Sequence, residues 1–215
     1  MISELQMWED SEPRTPSGQM AVDEAVLLSA GFPVLRLYHW ASPAVTFGYA
    51  QRYADVRGVS GLRPAIRRWT GGGTVFHGED LTLALSVPSP HPLCDMRPAA
   101  IYQQIHEALL RVVRETHPGA RLAAEEDCRP GLACFQSPAL NDLLCDGKKI
   151  GGGALRRGRN GFLYQGSLHG IFPAQALAEA LSPTVNIFHP TDAVLLHATN
   201  LESGKYGTAA WNKMR

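Results

Sequence analysis

The sequence lacks the features that mark membrane, exported and nucleic-acid-binding proteins. Its 215 residues hold no apolar run near the ~20 residues that span a bilayer. Residues 1–14 have neither the basic start nor the apolar stretch of a signal peptide. Twenty Lys and Arg balance twenty Asp and Glu, so no net field draws the protein to nucleic acid or to an anionic membrane. We therefore expect a cytoplasmic protein that recognises its partners locally.

Nucleotide-loop and metal signatures are absent as well. The chain has no GxxxxGK[ST] phosphate loop and no GxGxxG dinucleotide fingerprint. Its four cysteines form no CxxC pair and show no His/Cys spacing typical of zinc; they are Cys94, Cys128, Cys134 and Cys145. We expect free thiols and no metal ion, so each cysteine is either a small apolar residue or a nucleophile.

What is present predicts a single catalytic domain over residues 1–215. Apolar residues make up 45% of the chain, enough for one core. Helical spacing predicts a helix over 18–30, preceded by Ser17, and further helices over 98–116 and 173–181. Short β-rich runs predict a strand pair at 34–40 and 44–48, and period-two alternation predicts a half-buried strand at 81–87.

Turn signals complete this outline. Asp146-Gly147 predicts a hairpin over 141–150, and Asn160-Gly161 predicts a turn before a strand at 162–169. Residues 117–139 are rich in proline and glycine and show no periodicity, which predicts a long loop with a functional role. Hairpins on both sides of one long helix, without βαβ alternation, predict an α+β fold with a mixed, mostly antiparallel sheet and flanking helices.

Three consecutive glycines, Gly71, Gly72 and Gly73, follow Arg67 and Arg68 closely. Successive glycines cost conformational entropy, so they indicate a backbone that turns sharply or approaches a ligand closely. The two arginines are suited to hold a phosphate or a carboxylate. A glycine-rich hairpin with solvated arginines would show the same pattern.

A second segment combines adjacent lysines with another glycine run. Lys148 and Lys149 are neighbours on a predicted strand, so their side chains point to opposite faces and one of them faces a cleft or the interior. A lysine in a cleft could polarise a carbonyl or phosphate oxygen, whereas both could instead be charges on an edge strand. Cys134, on the preceding loop, becomes a competent acyl acceptor if the ammonium of Lys149 lies beside it, and is otherwise an inert core residue.

Taken in order, these segments resemble the lipoate/biotin protein ligase catalytic family. Residues 67–77, Arg-Arg-Trp-Thr-Gly-Gly-Gly-Thr-Val-Phe-His, are similar to the arginine-and-glycine signature that wraps the acyl chain. Residues 142–154 are similar to the Gly-Lys-Lys-Ile signature, whose second lysine, here Lys149, is catalytic. The likeness runs from residue 18 to residue 211.

The resemblance implies a fold shared with biotin and lipoate ligases and class II aminoacyl-tRNA synthetases. It also implies transfer of an octanoyl or lipoyl group to a lysine of a lipoyl domain, in a 2-oxoacid dehydrogenase or the glycine cleavage H protein. The catalytic residues it implies are Lys149 and Cys134. Those that bind the acyl group or adenylate are Arg67, Arg68, Gly71, Gly72, Gly73, His77, Gly151, Gly152, Gly153 and Ala154.

Two chemistries in this family fit the sequence. The setting of Cys134 is similar to the nucleophile loop of LipM-type octanoyltransferases, which take octanoate from acyl carrier protein through an enzyme thioester and need no cofactor. The unbroken triple glycine, at Gly73 above all, is more like the ligases that use ATP and Mg²⁺ to form lipoyl-AMP. A non-catalytic acyl-binding or carrier-binding module is the third alternative.

Because the sequence ends at Arg215, we expect no C-terminal accessory domain of the kind that many ligases carry. Some ligases receive that domain as a separate subunit, so the resemblance leaves open whether an accessory protein is needed.

Overall fold

The computed structural model describes residues 2–128 and 138–214. Its strands are β1 (Leu5–Asp10), β2 (Val34–Tyr38), β3 (Ala44–Phe47), β4 (Ala65–Arg67), β5 (Val75–His77), β6 (Leu81–Pro88), β7 (Arg121–Leu122), β8 (Leu143–Cys145), β9 (Lys148–Gly158), β10 (Gly161–Leu168) and β11 (Val185–Ile187). Its α-helices are α1 (Pro16–Ser29), α2 (Tyr53–Ser60), α3 (Pro98–Thr116), α4 (Ala174–Leu181), α5 (Asp192–Leu201) and α6 (Ala209–Asn212).

The larger sheet has the strand order β11-β1-β2-β6-β10-β9-β8-β7. Its strands pair antiparallel except for β11-β1 and β1-β2, which are parallel. Helices α3 and α4 pack on one face in the main core, and α1 and α5 cover part of the other. The predicted α+β fold with a mixed, mostly antiparallel sheet is confirmed.

Several local predictions agree closely with the structure. Helix α3 spans Pro98–Thr116, and α4 spans Ala174–Leu181 after Pro173. Strands β8 and β9 form the expected hairpin, with Asp146 at φ 49° and Gly147 at φ 72°. The second turn is displaced by one residue, because Gly161, at φ 116°, already pairs with Gly158 as part of β10.

The predicted pairing of residues 34–40 with 44–48 is wrong. Strand β2 lies between β1 and β6 in the larger sheet, whereas β3 lies between β4 and β5 in a separate three-stranded sheet. The reason is a second small core, in which Val45 and Phe47 of β3 pack against Val56 of α2. Strands β1 and β11 and helices α2 and α5 were not predicted from the sequence. Strand β7 lies in the stretch that was predicted to be a loop.

Strand β6 is buried on both faces, not on one as predicted. Leu83, Leu85 and Val87 face the main core under α3. The opposite face carries Ala84, which packs against Leu27 of α1. Small residues on that face look solvent-compatible in the sequence, but they are what allows α1 to lie close to the sheet. The helix itself begins at Pro16 with Thr15 as its N-cap, not with Ser17.

A buried ion-pair network holds α1 to the sheet. The Arg36 guanidinium donates to Asp10 Oδ2 at 2.7 Å and to Asp23 Oδ1 at 2.6 Å, and all three side chains are at most 1% exposed. Gln19 of α1 contributes both its carbonyl and its side-chain oxygen as acceptors. Because each buried charge is paired, the network fixes α1 over β2 without an uncompensated ion.

We predict that Arg36→Met lowers the free energy of unfolding by about 3–5 kcal/mol, because it leaves the buried Asp23 carboxylate without its cation and leaves Asp10 with Arg14 alone. Urea denaturation measures the loss. Arg52→Met is the matched control, since the Arg52–Asp55 pair has side chains 73% and 43% exposed and exposed pairs contribute about 1 kcal/mol or less. Equal losses in the two variants would contradict this account of the network.

Candidate active site

A cavity lies on the α1 face of the larger sheet. Its floor follows one row of residues in register on four adjacent strands: Tyr38, Thr82, Ser167 and Gly152. At a strand spacing of about 4.8 Å the row is about 14 Å long. Met20 of α1, Trp40 and the three-stranded sheet form the remaining walls, and the space measures about 440 Å³ with its mouth included.

Arg68 holds the glycine loop 71–73, whose three glycines are not among the residues that line the cavity. The neighbouring strand β5 contributes Val75 and His77 to the roof. One guanidinium nitrogen of Arg68, Nη2, donates to the carbonyls of Gly71 and Gly73, and Nη1 donates to the Thr46 hydroxyl. Gly72 has φ 82°, and a Cβ on Gly48 would lie 1.9 Å from the Gly72 carbonyl oxygen. The loop therefore uses glycine both for a left-handed turn and for a close backbone approach.

Arg68 is 5% exposed and lines the cavity, and Arg67 is fully buried elsewhere. The Arg67 guanidinium donates to the backbone carbonyls of Tyr49, Gln51, Trp211 and Asn212. It joins β4 to the C-terminal helix, and it is not among the residues that line the cavity. The alternative that the two arginines are solvated is therefore wrong for both Arg67 and Arg68.

His77 lines the same cavity and forms hydrogen bonds with two buried side chains, Asp80 and Thr46. Its Nδ1 lies 2.8 Å from Asp80 Oδ2, which can only accept, so Nδ1 carries the proton and Nε2 accepts from the Thr46 hydroxyl at 2.7 Å. Burial lowers the pKa of His77, and the hydrogen bond to Asp80 opposes this only in part. His77 is thus a neutral wall residue, stacked on Trp40 with ring centroids 4.1 Å apart.

Asp80 is the anionic centre of these hydrogen bonds. Its Oδ2 also accepts from Ser167 at 2.6 Å and from Thr82 at 3.1 Å, two residues of the cavity floor. Burial opposes ionisation, but the hydrogen bonds from His77, Ser167 and the Gly78 amide outweigh it and hold the pKa of Asp80 well below its usual range. The network therefore ties the roof strand β5 to the floor strands β6 and β10.

Lys149 and Lys148 point to opposite sides of β9, as predicted. Lys148 is exposed, whereas the Lys149 side chain is 3% exposed and lines the cavity. Its Nζ lies 2.7 Å from Asp142 Oδ2, in a carboxylate that is itself 1% exposed. The alternative that both lysines are charges on an edge strand is therefore wrong.

A register shift in the β8-β9 hairpin helps to aim Lys149. Leu144 pairs with Lys149, and Leu143 pairs with Gly151, so Ile150 is an extra residue on β9. Such a bulge reorients the side chains beside it. A Cβ on Gly152 would lie 2.6 Å from Lys149 Nζ, which shows that the ammonium lies directly over the Gly152 backbone.

Each of the three consecutive glycines in β9, Gly151 to Gly153, leaves space for different side chains. A Cβ would meet Leu168 and Leu143 at Gly151, Lys149 and Asp142 at Gly152, and Tyr164 at Gly153, in each case with an atom closer than 3.0 Å. The glycines that the resemblance assigns to acyl or adenylate binding therefore also make room for protein side chains. Gly152, Gly153 and Ala154 line the cavity.

Cys134 lies outside the described residues. The described chain resumes beside the site, since the Ala139 amide donates at 2.6 Å to Oδ2 of Asp142, the carboxylate that pairs with Lys149. The other three cysteines are free thiols.

The sequence reading missed the cavity walls Met20, Tyr38 and Trp40, and the polar groups around Lys149. Apolar wall residues carry no signal that separates them from core residues. Asp142 is the first residue of the matched segment 142–154, and this position was the one available indication. Tyr102, whose hydroxyl donates to Asp142, gave none, because it lies on α3, 40 positions earlier in the sequence.

Residues 15–202 match the family described as the lipoyl protein ligase A/B catalytic domain. The chain belongs to this family. It is 34% identical over 164 residues to "Octanoyltransferase LipM" of Kyrpidia tusciae, covering 69% of this chain and 60% of that protein. It therefore spans about three fifths of the length of this curated relative.

Solved structures of lipoate ligases share the fold. A lipoate-protein ligase A crystal structure bound with ATP is 22% identical, with a TM-score of 0.75 over 98% of each chain. A bi-partite lipoate protein ligase described with its E2 lipoyl domain, from Thermoplasma acidophilum, is 22% identical with a TM-score of 0.69, over 98% of this chain and 96% of that one. Among the described residues, no helix of this lipoyl ligase-family chain is long and apolar enough to cross a membrane.

Behind the lysine of this lipoyl ligase-family domain, His106 of α3 supports the turn that precedes β8. Its Nδ1 donates to the Asn141 carbonyl at 2.7 Å, so Nε2 accepts from the Tyr164 hydroxyl at 2.7 Å. Asn141 itself has φ 67°. Burial is the main reason that the pKa of His106 falls to about 4 from an ordinary value of 6.5.

We predict that acid destabilises this lipoyl ligase-family domain through His106. Between pH 6.5 and 4 the unfolded chain binds a proton at His106 that the folded chain does not, so stability falls as pH is lowered through that window, by about 3 kcal/mol at pH 4. Denaturant unfolding at several pH values measures the slope. His106→Gln should flatten it, and the exposed control His189→Gln should not; equal slopes in the wild type and His106→Gln would refute the assignment.

Proposed function

We propose that this protein transfers an octanoyl or lipoyl group to a lysine of a lipoyl domain. One observation carries the proposal: the buried ammonium of Lys149 lies at one side of a cavity whose other walls are largely apolar. An acyl group needs both features, since its carbonyl carbon reacts beside the charge and its chain requires an apolar channel. The names of the curated relatives support the same reaction.

Octanoyl-acyl carrier protein is the donor that we favour, with Cys134 as the nucleophile. The Cys134 thiolate attacks the carbonyl carbon of the carrier thioester, a new carbon–sulfur bond forms, and the carrier thiolate leaves and takes up a proton. The amine of the target lysine then attacks the enzyme thioester. An amide forms, the nitrogen loses a proton to solvent, and the carbon–sulfur bond breaks to release the Cys134 thiolate.

Lys149 stabilises negative charge in both steps. Its ammonium attracts the thiolate and then the oxyanion of each tetrahedral intermediate, in a site largely closed to water. Asp142 holds the ammonium in place, and the glycine backbone at Gly152 lets it approach the cavity floor. Lipoyl domains of 2-oxoacid dehydrogenases and the glycine cleavage H protein are the proposed acceptors.

An ATP-dependent lipoate ligase is the second candidate. The unbroken glycine loop 71–73 favours it, as does the fold shared with an ATP-bound ligase. The arginines that would hold a phosphate fit it poorly, because the guanidinium groups of Arg67 and Arg68 donate to backbone carbonyls. An accessory subunit, which some ligases require, is proposed only together with this second candidate function.

The expected result with octanoyl carrier protein alone is an octanoyl adduct on the intact protein, read by mass spectrometry. Cys134→Ser should abolish the adduct, because the thiol forms the thioester. Lys149→Ala should slow its formation on the order of a hundredfold or more, by loss of a charged hydrogen-bond donor. Cys128→Ser and Lys148→Ala are the matched controls, since both side chains are exposed and near in sequence.

An adduct in Cys134→Ser would exclude the thioester route. Transfer that requires lipoate and ATP and leaves no adduct would favour the ligase. No transfer under either condition would leave a binding module as the better description.

The cavity should also select the acyl chain by length. Each buried methylene contributes about 0.8 kcal/mol, so four further methylenes favour octanoyl over butanoyl carrier protein by about 3 kcal/mol, on the order of a hundredfold in kcat/KM. Steady-state rates with the two donors test this. Equal kcat/KM values would show that the chain does not enter the cavity.

A further inference from the structure

A single hydroxyl on α3 contacts both the carboxylate that holds Lys149 and the backbone of the cavity floor. The Tyr102 hydroxyl donates to Asp142 Oδ1 at 2.5 Å, and it accepts from the Gly153 amide at 3.0 Å. A hydroxyl has one proton to donate, and Asp142 accepts it, so the two contacts fit together. No member of the sequence signatures contributes this group.

The contact replaces a missing strand partner. Strand β8 pairs with β9 only as far as Leu143 opposite Gly151. Beyond that point Gly153 has no β8 residue to bond, and its amide donates to the Tyr102 hydroxyl instead. The chain before β8 turns away through Asp142 and Asn141, which brings the Asp142 carboxylate to the same place on the edge of the sheet.

We propose that Tyr102 is a positioning residue for Lys149, acting through Asp142; the inference rests on the acyl transfer proposed above. Each carboxylate oxygen has its own donors: Oδ1 accepts from Tyr102, and Oδ2 accepts from Lys149 and from the Ala139 amide. Together these contacts fix the rotation of the carboxylate. Without the hydroxyl, Oδ1 and the Gly153 amide lose their partner, the carboxylate turns, and the ammonium leaves the position that faces the cavity.

The Tyr102 ring is itself held firmly. It stacks on His106, one helical turn away, with ring centroids 4.0 Å apart, and His106 bonds Asn141 and Tyr164. Burial is the main reason that the pKa of Tyr102 lies well above its usual range, so the hydroxyl remains a donor at neutral pH. Helix α3 therefore presents a fixed donor to the lysine site from the far side of the sheet edge.

The test compares Tyr102→Phe with Tyr206→Phe. Tyr206 is a matched control because its hydroxyl and Lys205 share the Glu24 carboxylate, as Tyr102 and Lys149 share Asp142, but at a different place in the fold. The first readout is the single-turnover rate of acylation by octanoyl carrier protein. We expect Tyr102→Phe to lower the saturating rate roughly 10- to 100-fold, the size of a lost hydrogen bond to a charged group, with the half-saturating concentration within twofold of wild type. Tyr206→Phe should match wild type.

The second readout needs no catalysis. The ¹⁵N resonance of the Lys149 ammonium should move, and the Gly153 amide should exchange faster, in Tyr102→Phe but not in Tyr206→Phe. If wild-type protein forms no adduct, the proposed transfer fails and this readout still decides the positioning role. A wild-type acylation rate in Tyr102→Phe, an unchanged Lys149 signal, or equal losses of rate in both variants with a matching fall in Tm would overturn the proposal.

Discussion

The ion pair between Lys149 and Asp142 is the constraint around which the site is built. Both side chains are almost fully withdrawn from water, and a charge in that position is tolerated only with a close partner and further hydrogen bonds. The bulge at Ile150, the missing Cβ at Gly152 and the hydroxyl of Tyr102 each serve this pair. Direction, room and hydrogen bonding for this pair thus come from two features of β9 and one of α3.

Two polar networks join the roof of the cavity to its floor. One runs from Arg68 through Thr46 and His77 to Asp80, and the other runs from Thr70 on the glycine loop through Gln165 to Asp23. Their members are buried and mutually bonded, so they can bound an apolar channel without exposing unsatisfied groups to it. A channel of defined width between two sheets requires such fixed spacers, because apolar packing alone would tend to close it.

Much of the local structure was accessible from the sequence, and the failures have physical causes. Helix α3 and the β8-β9 hairpin were predicted because spacing and turn residues act over a few positions. The predicted pairing of β2 with β3 is wrong because β2 pairs with β6, and β3 pairs with β4 and β5, which all follow later in the chain. The two-sided burial of β6 was invisible because Thr82, Ala84 and Ser86 suit solvent as well as a closely packed helix.

By itself the sequence determined the family likeness, the α+β fold class, and that one of two adjacent lysines faces inward, because these depend on residue type and short spacing. Only the tertiary structure decided that Lys149 pairs with Asp142, that Arg68 lines the cavity while Arg67 bonds the C-terminal helix, and that Tyr102 reaches Asp142. Arg67 and Trp211 are 144 positions apart. Contacts over such separations follow from how the sheets and helices assemble, and no local pattern encodes them.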